Sequence, residues 1–321
     1  MFRQVLILIF CLYGGYALSQ TCCSAGAPLS NLITVDNTDQ QFSFTLGYEY
    51  KGINLLVDNN QRLVNDPRSR SGQNVSLKTD YVLNEHWAFS LSIPLIFQSR
   101  STSSDEQTSI GLGDISLISQ YKLLQKNDLS IFLAGGIELP TGLTGHTSTS
   151  SIFLSPDMQS GSGTFDLLIG ASLFYDKLFT PALSTSLEFL YKRNGTNENF
   201  AGTDTFSGRR FGFGHETLAA LGLSYQLVHR HGFFTPDLTL KYRRSTPNRE
   251  QFVEAPNSGG FWVSLPLGLS FQPDVDKSIR VFAELPIYQE LSGLQITTSF
   301  TFGVQFRYSI QNEKINQKIN L

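Results

Sequence analysis

The chain has 321 residues, of which 40% are apolar and only 16% are Asp, Glu, Lys or Arg. Soluble globular domains carry about 25% charged residues, so this composition disfavours an ordinary soluble enzyme. The formal net charge of −3 gives no reason to expect a nucleic-acid partner. Beyond the N-terminus no apolar run is long enough to cross a bilayer as a helix, which excludes a helical membrane bundle.

The N-terminus has the pattern of an export signal. Arg3 precedes an apolar stretch that is short for a membrane span, and the small residues Ala17 and Ser19 occupy the positions preferred before a cleavage site. We therefore predict a signal peptide at 1–19 and export from the cytoplasm.

The polar segment that follows, 20–39, is predicted to be a periplasmic N-terminal extension or a plug of the lumen. It contains Cys22 and Cys23, which are adjacent and so cannot cross-link distant parts of the fold. Ser19 and Thr21 before Cys22 disfavour lipoprotein processing. The role of the two cysteines stays open at this stage.

From residue 40 onward the dominant pattern has a period of two, which predicts β-strands. Within 86–98, for example, every odd position from Trp87 to Phe97 is large and apolar, while most even positions are small or polar. We predict twelve such strands, at 40–53, 73–84, 86–98, 112–124, 128–141, 164–176, 180–193, 214–228, 233–245, 260–272, 277–289 and 294–310.

The predicted strands exceed the roughly 9 to 11 residues that a tilted strand needs to cross a bilayer. Short connections alternate with long ones, and Glu290 to Gly293 alone is short where a long loop is due. Short turns at one end and long loops at the other are typical of outer-membrane barrels. We therefore predict an all-β fold, a transmembrane antiparallel up-and-down β-barrel of about 12 strands over 40–310, followed by a C-terminal tail at 311–321.

A soluble β-sandwich also alternates, but its strands are usually about five or six residues long. The face opposite the aromatic residues collects nine acids and eight bases, which a bilayer excludes and a dry core accepts only as pairs. We therefore assign this face to the lumen of a barrel. The candidate lumen and permeation residues are Asp114, Glu138, Asp166, Glu188, Glu216, Lys241, Arg243, Arg280, Glu284 and Arg307.

Three of these candidates, Asp114, Glu138 and Asp166, lie on consecutive predicted strands and are expected to form an acidic wall near the external mouth, with only Lys122 as a base. They either pair with lumen bases and hold the wall together or act directly in permeation. Against an opposite wall of bases they would create a transverse field with weak preference between anions and cations. The bases of that opposite wall are Lys241, Arg243, Arg280 and Arg307.

The sequence offers little for catalysis. The five histidines are scattered, and His215 alone is expected near a serine of the wall, as a Ser–His pair would require. No Gly-x-Ser-x-Gly elbow lies between a strand and a helix. His229 and His231 lie in a turn without a carboxylate or cysteine beside them, which is not the pattern of a metal site. We predict no catalytic residue, no metal and no cofactor.

Three short motifs occur in order on three consecutive predicted strands: Gly111 to Leu117 (GLGDISL), Glu138 to Gly142 (ELPTG) and Gly161 to Asp166 (GSGTFD). This order resembles the family of outer-membrane β-barrels assigned as transporters of the phenol-degradation meta pathway, which are distantly like the long-chain fatty-acid channels. The resemblance covers residues 111–175, about a fifth of the chain. It implies an outer-membrane barrel associated with the uptake of hydrophobic compounds.

We therefore predict an outer-membrane channel or transporter for small solutes, hydrophobic or aromatic ones among them, in a Gram-negative cell. Its expected partners are outer-membrane lipid and a small-molecule solute, and no nucleic acid. The alternative is a closed structural or surface-interaction barrel that acts through its long external loops. Loop 142–163 fits both, because Ile152, Phe153 and Leu154 could fold inward as an apolar gate or outward as a contact. The solute, the state of the pore and the oligomeric state stay open at this stage.

Overall fold

The computed structural model describes residues 42–63, 68–102, 105–148, 151–201 and 208–310. The predicted signal peptide, the segment 20–39 with its two cysteines and the tail 311–321 lie outside the described residues. In these ranges no helix has the length and apolar character needed to cross a membrane.

The described residues form 21 β-strands and one turn of 3-10 helix at Pro156–Met158. In chain order the strands are β1 (Phe42–Ile53), β2 (Leu55–Asp58), β3 (Gln61–Leu63), β4 (Ser69–Val82), β5 (Trp87–Ser101), β6 (Glu106–Leu112), β7 (Ile115–Lys126), β8 (Leu129–Leu139), β9 (Asp166–Tyr175), β10 (Leu183–Arg193), β11 (Asn197–Phe200), β12 (Arg209–Gly212), β13 (Glu216–Tyr225), β14 (Leu227–His229), β15 (Gly232–Ser245), β16 (Arg249–Glu250), β17 (Val253–Glu254), β18 (Gly260–Asp274), β19 (Lys277–Leu291), β20 (Leu294–Thr297) and β21 (Phe300–Ile310).

Twelve of these strands close into an antiparallel barrel, as the sequence predicts. They are β1, β4, β5, β7, β8, β9, β10, β13, β15, β18, β19 and β21. Each pairs with the next barrel strand along the chain, and β21 pairs with β1 from Ile310 opposite Phe42 to Phe300 opposite Gly52. Closure leaves no open edge, so the backbone donors and acceptors of the wall are paired with neighbouring strands.

The outer face of the barrel is apolar and exposed. On β5, Trp87 and Phe89 are 40% and 42% exposed, whereas Ser90 and Ser92 on the opposite face are each 5% exposed. A soluble protein shows the reverse arrangement, because burial of its large apolar side chains drives folding. A closed barrel with an apolar outer face is stable in lipid, which excludes the sandwich alternative and makes the chain a membrane-spanning barrel.

The two ends of the barrel differ in the length of their connections. At one end, here called the turn end, short turns join β4 to β5, β7 to β8, β9 to β10 and β18 to β19. At the other, the loop end, long connections carry short strands of their own: β11, β12, β16 and β17 form a small sheet, and β20, β2 and β3 form another. The segment 99–111, which lies between two predicted strands and was expected to be a loop, also contains β-structure. Its strand β6 pairs with the end of β5.

The predicted strand 294–310 is wrong at its beginning. The structure has two strands there: β20 pairs with β2, with Ile296 opposite Leu56, whereas the barrel strand β21 begins at Phe300. Ser299 marks the change, since its backbone N–H donates to Gly52 O at 2.8 Å. The connection from β19 to β21 is therefore long, like the others at the loop end, and the short connection expected at Glu290 to Gly293 is only its first turn.

Candidate functional site: the lumen and its plug

At the loop end of the lumen, Lys192 of β10 lies between two carboxylates. Its Nζ is 3.2 Å from Asp166 Oδ2 of β9 and also contacts Glu138 Oε2 of β8. The two acids are directly opposite each other in the β8–β9 register, and all three side chains are at most 3% exposed. A buried charge without a partner is strongly unfavourable, and Lys192 supplies a counter-charge to the two acids inside the wall.

Of the two roles left open for these acids, pairing with a lumen base is the one found for Glu138 and Asp166, and the base is Lys192 and not Lys122. Lys192 supplies the base at the level of Glu138 and Asp166, while Lys122 lies towards the turn end, where its Nζ donates to Gln125 at 2.9 Å. The period of two assigns each residue to a face but not to a height along the barrel axis. The tilt of the strands brings Lys192 level with the acids.

On the opposite wall, three of the four bases lie beside an acid, and these local pairs weaken the expected transverse field between walls of opposite sign. Each lumen-facing base of β15 and β19 has an acid of a neighbouring or nearby strand beside it. The pairs are Lys241 Nζ with Glu284 Oε2 at 2.5 Å, Arg243 Nε with Glu216 Oε2 at 3.0 Å, and Arg280 Nη2 with Asp237 Oδ2 at 2.8 Å. Arg307 Nη2 donates to Ser43 Oγ at 3.0 Å.

Gly268 gives the Arg280–Asp237 pair its space. A Cβ added at this glycine would collide with both carboxylate oxygens of Asp237 and would lie 2.7 Å from Arg280 Nη2. The residue between the two charged side chains must therefore have no side chain of its own.

A segment of the connection between β8 and β9, residues 153–162, contacts the inner face of the barrel at the loop end, and we call this segment the plug. Its residues 156–162 are all buried. Asp157 Oδ2 accepts a hydrogen bond from Arg70 Nη1 of β4 at 2.7 Å and contacts Arg100 Nη2 of β5. Gln98, on the same lumen face of β5 as Ser90, donates through Nε2 to Gln159 O at 2.9 Å. The plug is thus bound to the inner face of β4 and β5.

The charge balance at this contact keeps Asp157 ionised. Burial by itself would raise the pKa of the Asp157 carboxyl, but Arg70, Arg100 and the Ser155 hydroxyl hold it well below its ordinary value. Arg70 is only 3% exposed in its side chain and Arg100 22%, so the guanidinium groups depend on this carboxylate for a counter-charge.

Asp114 holds the base of the plug segment. Its Oδ1 accepts from Gly142 N at 2.9 Å and its Oδ2 from Ser162 N at 2.7 Å, and the residue is fully buried. These two bonds draw Gly142 and Gly161 so close that a Cβ on Gly142 would lie 2.5 Å from Gly161 Cα. The three motifs noted in the sequence therefore meet in space, and their glycines permit the chain to fold back into the lumen.

The apolar residues Ile152, Phe153 and Leu154 of this connection differ in exposure. Leu154 is buried, with 3% exposure, whereas Ile152 is 68% exposed. Phe153 packs against a cluster in the loop-end sheet that includes Phe200 and Phe211. One segment thus reaches both into the lumen and onto the outer loops.

A histidine and a serine also meet away from the wall, because His146 Nε2 is 3.0 Å from Ser160 Oγ in the connection between β8 and β9. Ser160 is 1% exposed and its hydroxyl also donates to Leu143 O at 3.4 Å, which makes this a packing contact within the plug connection. Burial lowers the pKa of His146. Within the described ranges, no three His, Cys, Asp or Glu side chains are grouped so that they could hold a metal ion.

Between the plug and the turn end, the lumen contains a cavity of about 450 Å³. Its lining includes the hydroxyl groups of serines and threonines, several of the ion pairs described above, and Glu188. Apolar side chains also reach it, among them Phe174, Leu218 and Phe282. A barrel of eight strands is filled by its own side chains, and twelve strands leave room for this space.

Sequence reasoning missed two features of the lumen. Arg70 and Arg100 fall in segments predicted as loops, and Asp157 lies in a loop with no periodic pattern. An apolar cluster of Ile118, Ala134, Leu168, Leu190 and Leu218 faces the lumen, although that face was expected to be small and mostly polar. A signal for the cluster was available, because Leu190 lies in phase between Glu188 and Lys192.

Comparison with known proteins supports the fold. No family model and no curated protein matches the chain in sequence. The crystal structure of an outer membrane channel from Pseudomonas putida F1 is similar with a TM-score of 0.67 and 13% identity, over 88% of this chain and 99% of that one. The β-domain of the Bordetella autotransporter BrkA has a TM-score of 0.49 and 8% identity, over 85% and 100% of the two chains. The CymD monoaromatic hydrocarbon channel has a TM-score of 0.44 and 11% identity, over 86% and 90%.

At these identities the comparison concerns the fold. A closed twelve-stranded barrel, an apolar outer face and long connections at one end together define an outer-membrane β-barrel of porin-like architecture.

Proposed function

We propose that this protein is an outer-membrane channel for small solutes in a Gram-negative cell, with the loop end facing outward. The observation that carries the proposal is the cavity of about 450 Å³ inside the barrel, lined by hydroxyl and charged groups. A barrel with a purely structural role has no need of such a space, because its lumen can be packed with side chains. On this view the ten candidate lumen residues shape and stabilise the pathway.

The lining supports solutes that combine polar groups with an apolar or aromatic body. Ser186 and Thr239 offer hydrogen bonds, while Phe174, Leu218 and Phe282 offer apolar contact in the same space. The hydrophobic or aromatic solutes expected from the sequence would use the second group of residues.

We propose that the plug obstructs the loop end of the lumen and has to move for a solute to pass. We propose that the contact of Asp157 with Arg70 and Arg100 holds the closed state. The resulting channel is narrow and opens intermittently.

Planar-bilayer recording of the refolded full-length protein tests this function. We expect small conductance steps from the wild type, and a higher open probability once the plug is released. The absence of conductance from both the wild type and a plug-released variant would contradict the channel.

A second function, a closed surface-interaction barrel, is favoured by one observation. The plug reaches the loop-end sheet through Phe153, so the outer loops and the closed lumen form one packed unit. Such a barrel would show no conductance in the recordings above.

A further inference from the structure

Glu188 is the acid of the cavity that stands apart from its neighbours. It lies on β10, opposite Ala220 of β13 and Ser172 of β9. Its carboxylate has no hydrogen bond and no ion pair with any residue that the structure describes, and it lines the cavity. The other acids of the cavity have bases within contact distance: Asp80 with Lys78 at 3.1 Å, Asp237 with Arg280 at 2.8 Å and Glu284 with Lys241 at 2.5 Å.

The nearest cation does not neutralise Glu188. Arg280 acts on it electrostatically, but the guanidinium is already engaged by Asp237 through Nε at 3.3 Å and Nη2 at 2.8 Å. The same guanidinium lies over the ring of Phe282, 5.2 Å from its centroid. A largely enclosed carboxylate with no partner favours a cation that arrives from the cavity.

The surroundings of Glu188 set the shape of such a cation. Leu218 and Phe174 lie on the two strands beside it, each displaced by two residues from the position directly opposite, and both line the cavity. The hydroxyl of Ser172, directly opposite Glu188, is buried and has no hydrogen-bond partner in the described structure. The wall thus combines a carboxylate, a free hydroxyl and apolar surface within one row of neighbours.

We propose that the cavity binds a small organic cation, a primary ammonium group on an apolar or aromatic body, with Glu188 as its counter-ion. The ammonium group donates to the Glu188 carboxylate, and the apolar body contacts Leu218 and Phe174. This assignment rests on the proposed channel function and names the class of solute for it. An organic anion is disfavoured, because three bases of the cavity, Lys78, Lys241 and Arg280, are held by acids of the wall.

Three probes of nearly equal size and different charge test the site: benzylamine, benzyl alcohol and benzoate. Isothermal titration of the full-length protein in detergent at low salt measures their affinities without requiring transport. A hydrogen bond to a charged group gives about tenfold in affinity or more, so we expect benzylamine to bind at least that much more tightly than benzyl alcohol. Benzoate should bind most weakly.

Glu188→Gln removes the charge and keeps the size of the side chain. We expect it to weaken benzylamine binding by about tenfold or more and to leave benzyl alcohol unchanged. Glu188→Asp should retain the preference for the amine. The matched control is Glu85→Gln, which makes the same change of net charge in an exposed turn and should alter neither affinity.

Equal affinity of the wild type for benzylamine and benzyl alcohol would overturn the site, as would an unchanged amine affinity in Glu188→Gln. If Glu188→Gln does not fold, the comparison of the three probes on the wild type decides by itself. Conductance without a preference for the amine contradicts this site alone. Amine binding without conductance in any variant contradicts the channel and leaves the site standing.

Discussion

Replacing Asp157 by Asn should release the plug. The carboxylate of Asp157 receives Arg70 Nη1 at 2.7 Å and contacts Arg100, and Asn keeps its shape but not its charge. Removal of one partner of a buried ion pair costs about 3 to 5 kcal/mol, because the remaining charge has no counter-ion. Since Arg100 is 22% exposed in its side chain, water relieves part of this cost and the lower value applies.

About 3 kcal/mol corresponds to a change on the order of 100-fold in the ratio of plugged to released barrels. Asp114 still holds the base of the plug segment through Gly142 and Ser162, so the tip should move while the base stays in place. We therefore expect Asp157→Asn to raise the open probability in planar bilayers by one to two orders of magnitude. If the wild type is already open for part of the time, the variant should be open continuously.

The matched control is Asp128→Asn, which removes an aspartate that pairs with Lys177 at 2.8 Å in an exposed turn. It makes the same chemical change at the turn end and should leave the open probability unchanged. An Asp157→Asn protein that folds and conducts like the wild type would refute the assignment of Asp157 as the residue that holds the plug.

The pH dependence of opening follows from the same contacts. The pKa of Asp157 is held well below its ordinary value in the plugged state, so its stabilisation is complete above about pH 4 and is lost only as the pH falls further. Burial lowers the pKa of His146, so protonation below its ordinary value of about 6.5 favours the released state. We expect the open probability of the wild type to be flat from pH 7 to 9 and to rise below about pH 6.5. His146→Gln should abolish that rise. A flat wild-type profile down to pH 5 would contradict the role of His146 in holding the plug.

Two further substitutions test the faces of the wall. Leu267→Arg places a charge on the exposed apolar face and should destabilise the barrel by about 2 to 4 kcal/mol near midplane. Ser270→Arg places the same charge on the cavity face and should still fold. Equal losses of unfolding free energy in denaturant titrations of the two variants would refute the lumen assignment. Gly268→Ala pushes a Cβ into the ion pair beside it and should cost about 1 to 3 kcal/mol, while Gly135→Ala, which meets nothing within 4 Å, should be nearly neutral. Equal unfolding midpoints for the two alanine variants would show that the pair does not depend on that glycine.

The sequence by itself determined the class of fold. A period of two over strands longer than ten residues, with aromatic side chains on one face and charges on the other, has one stable arrangement in a membrane, which is the closed barrel. The face of each residue followed as well, because neighbouring side chains of a strand point to opposite sides. Trp87 and Ser90 lie on the faces that this rule assigns to them.

Local alternation could not reveal where a strand changes its partner. The period continues from Ile296 to Phe300, but the first residue pairs with β2 at the loop end and the second belongs to the barrel. Both pairings satisfy the same alternation, and only the position of Gly52 and its bond to Ser299 separate them. Strand pairing is a contact between distant parts of the chain, so the pattern of one segment does not contain it.

Only the tertiary structure decided which charges meet. Asp157 and Arg70 are 87 residues apart in sequence, and Lys192 is 54 residues from Glu138. Each of these contacts depends on strand tilt and on the path of a loop without periodic structure, neither of which local sequence specifies. The period of two assigned Asp114, Glu138 and Asp166 to the lumen face. In the folded barrel Glu138 and Asp166 bind Lys192, and Asp114 holds the base of the plug segment. A buried charge is stable only where the fold brings it a partner, and the pattern of a single strand does not contain that partner.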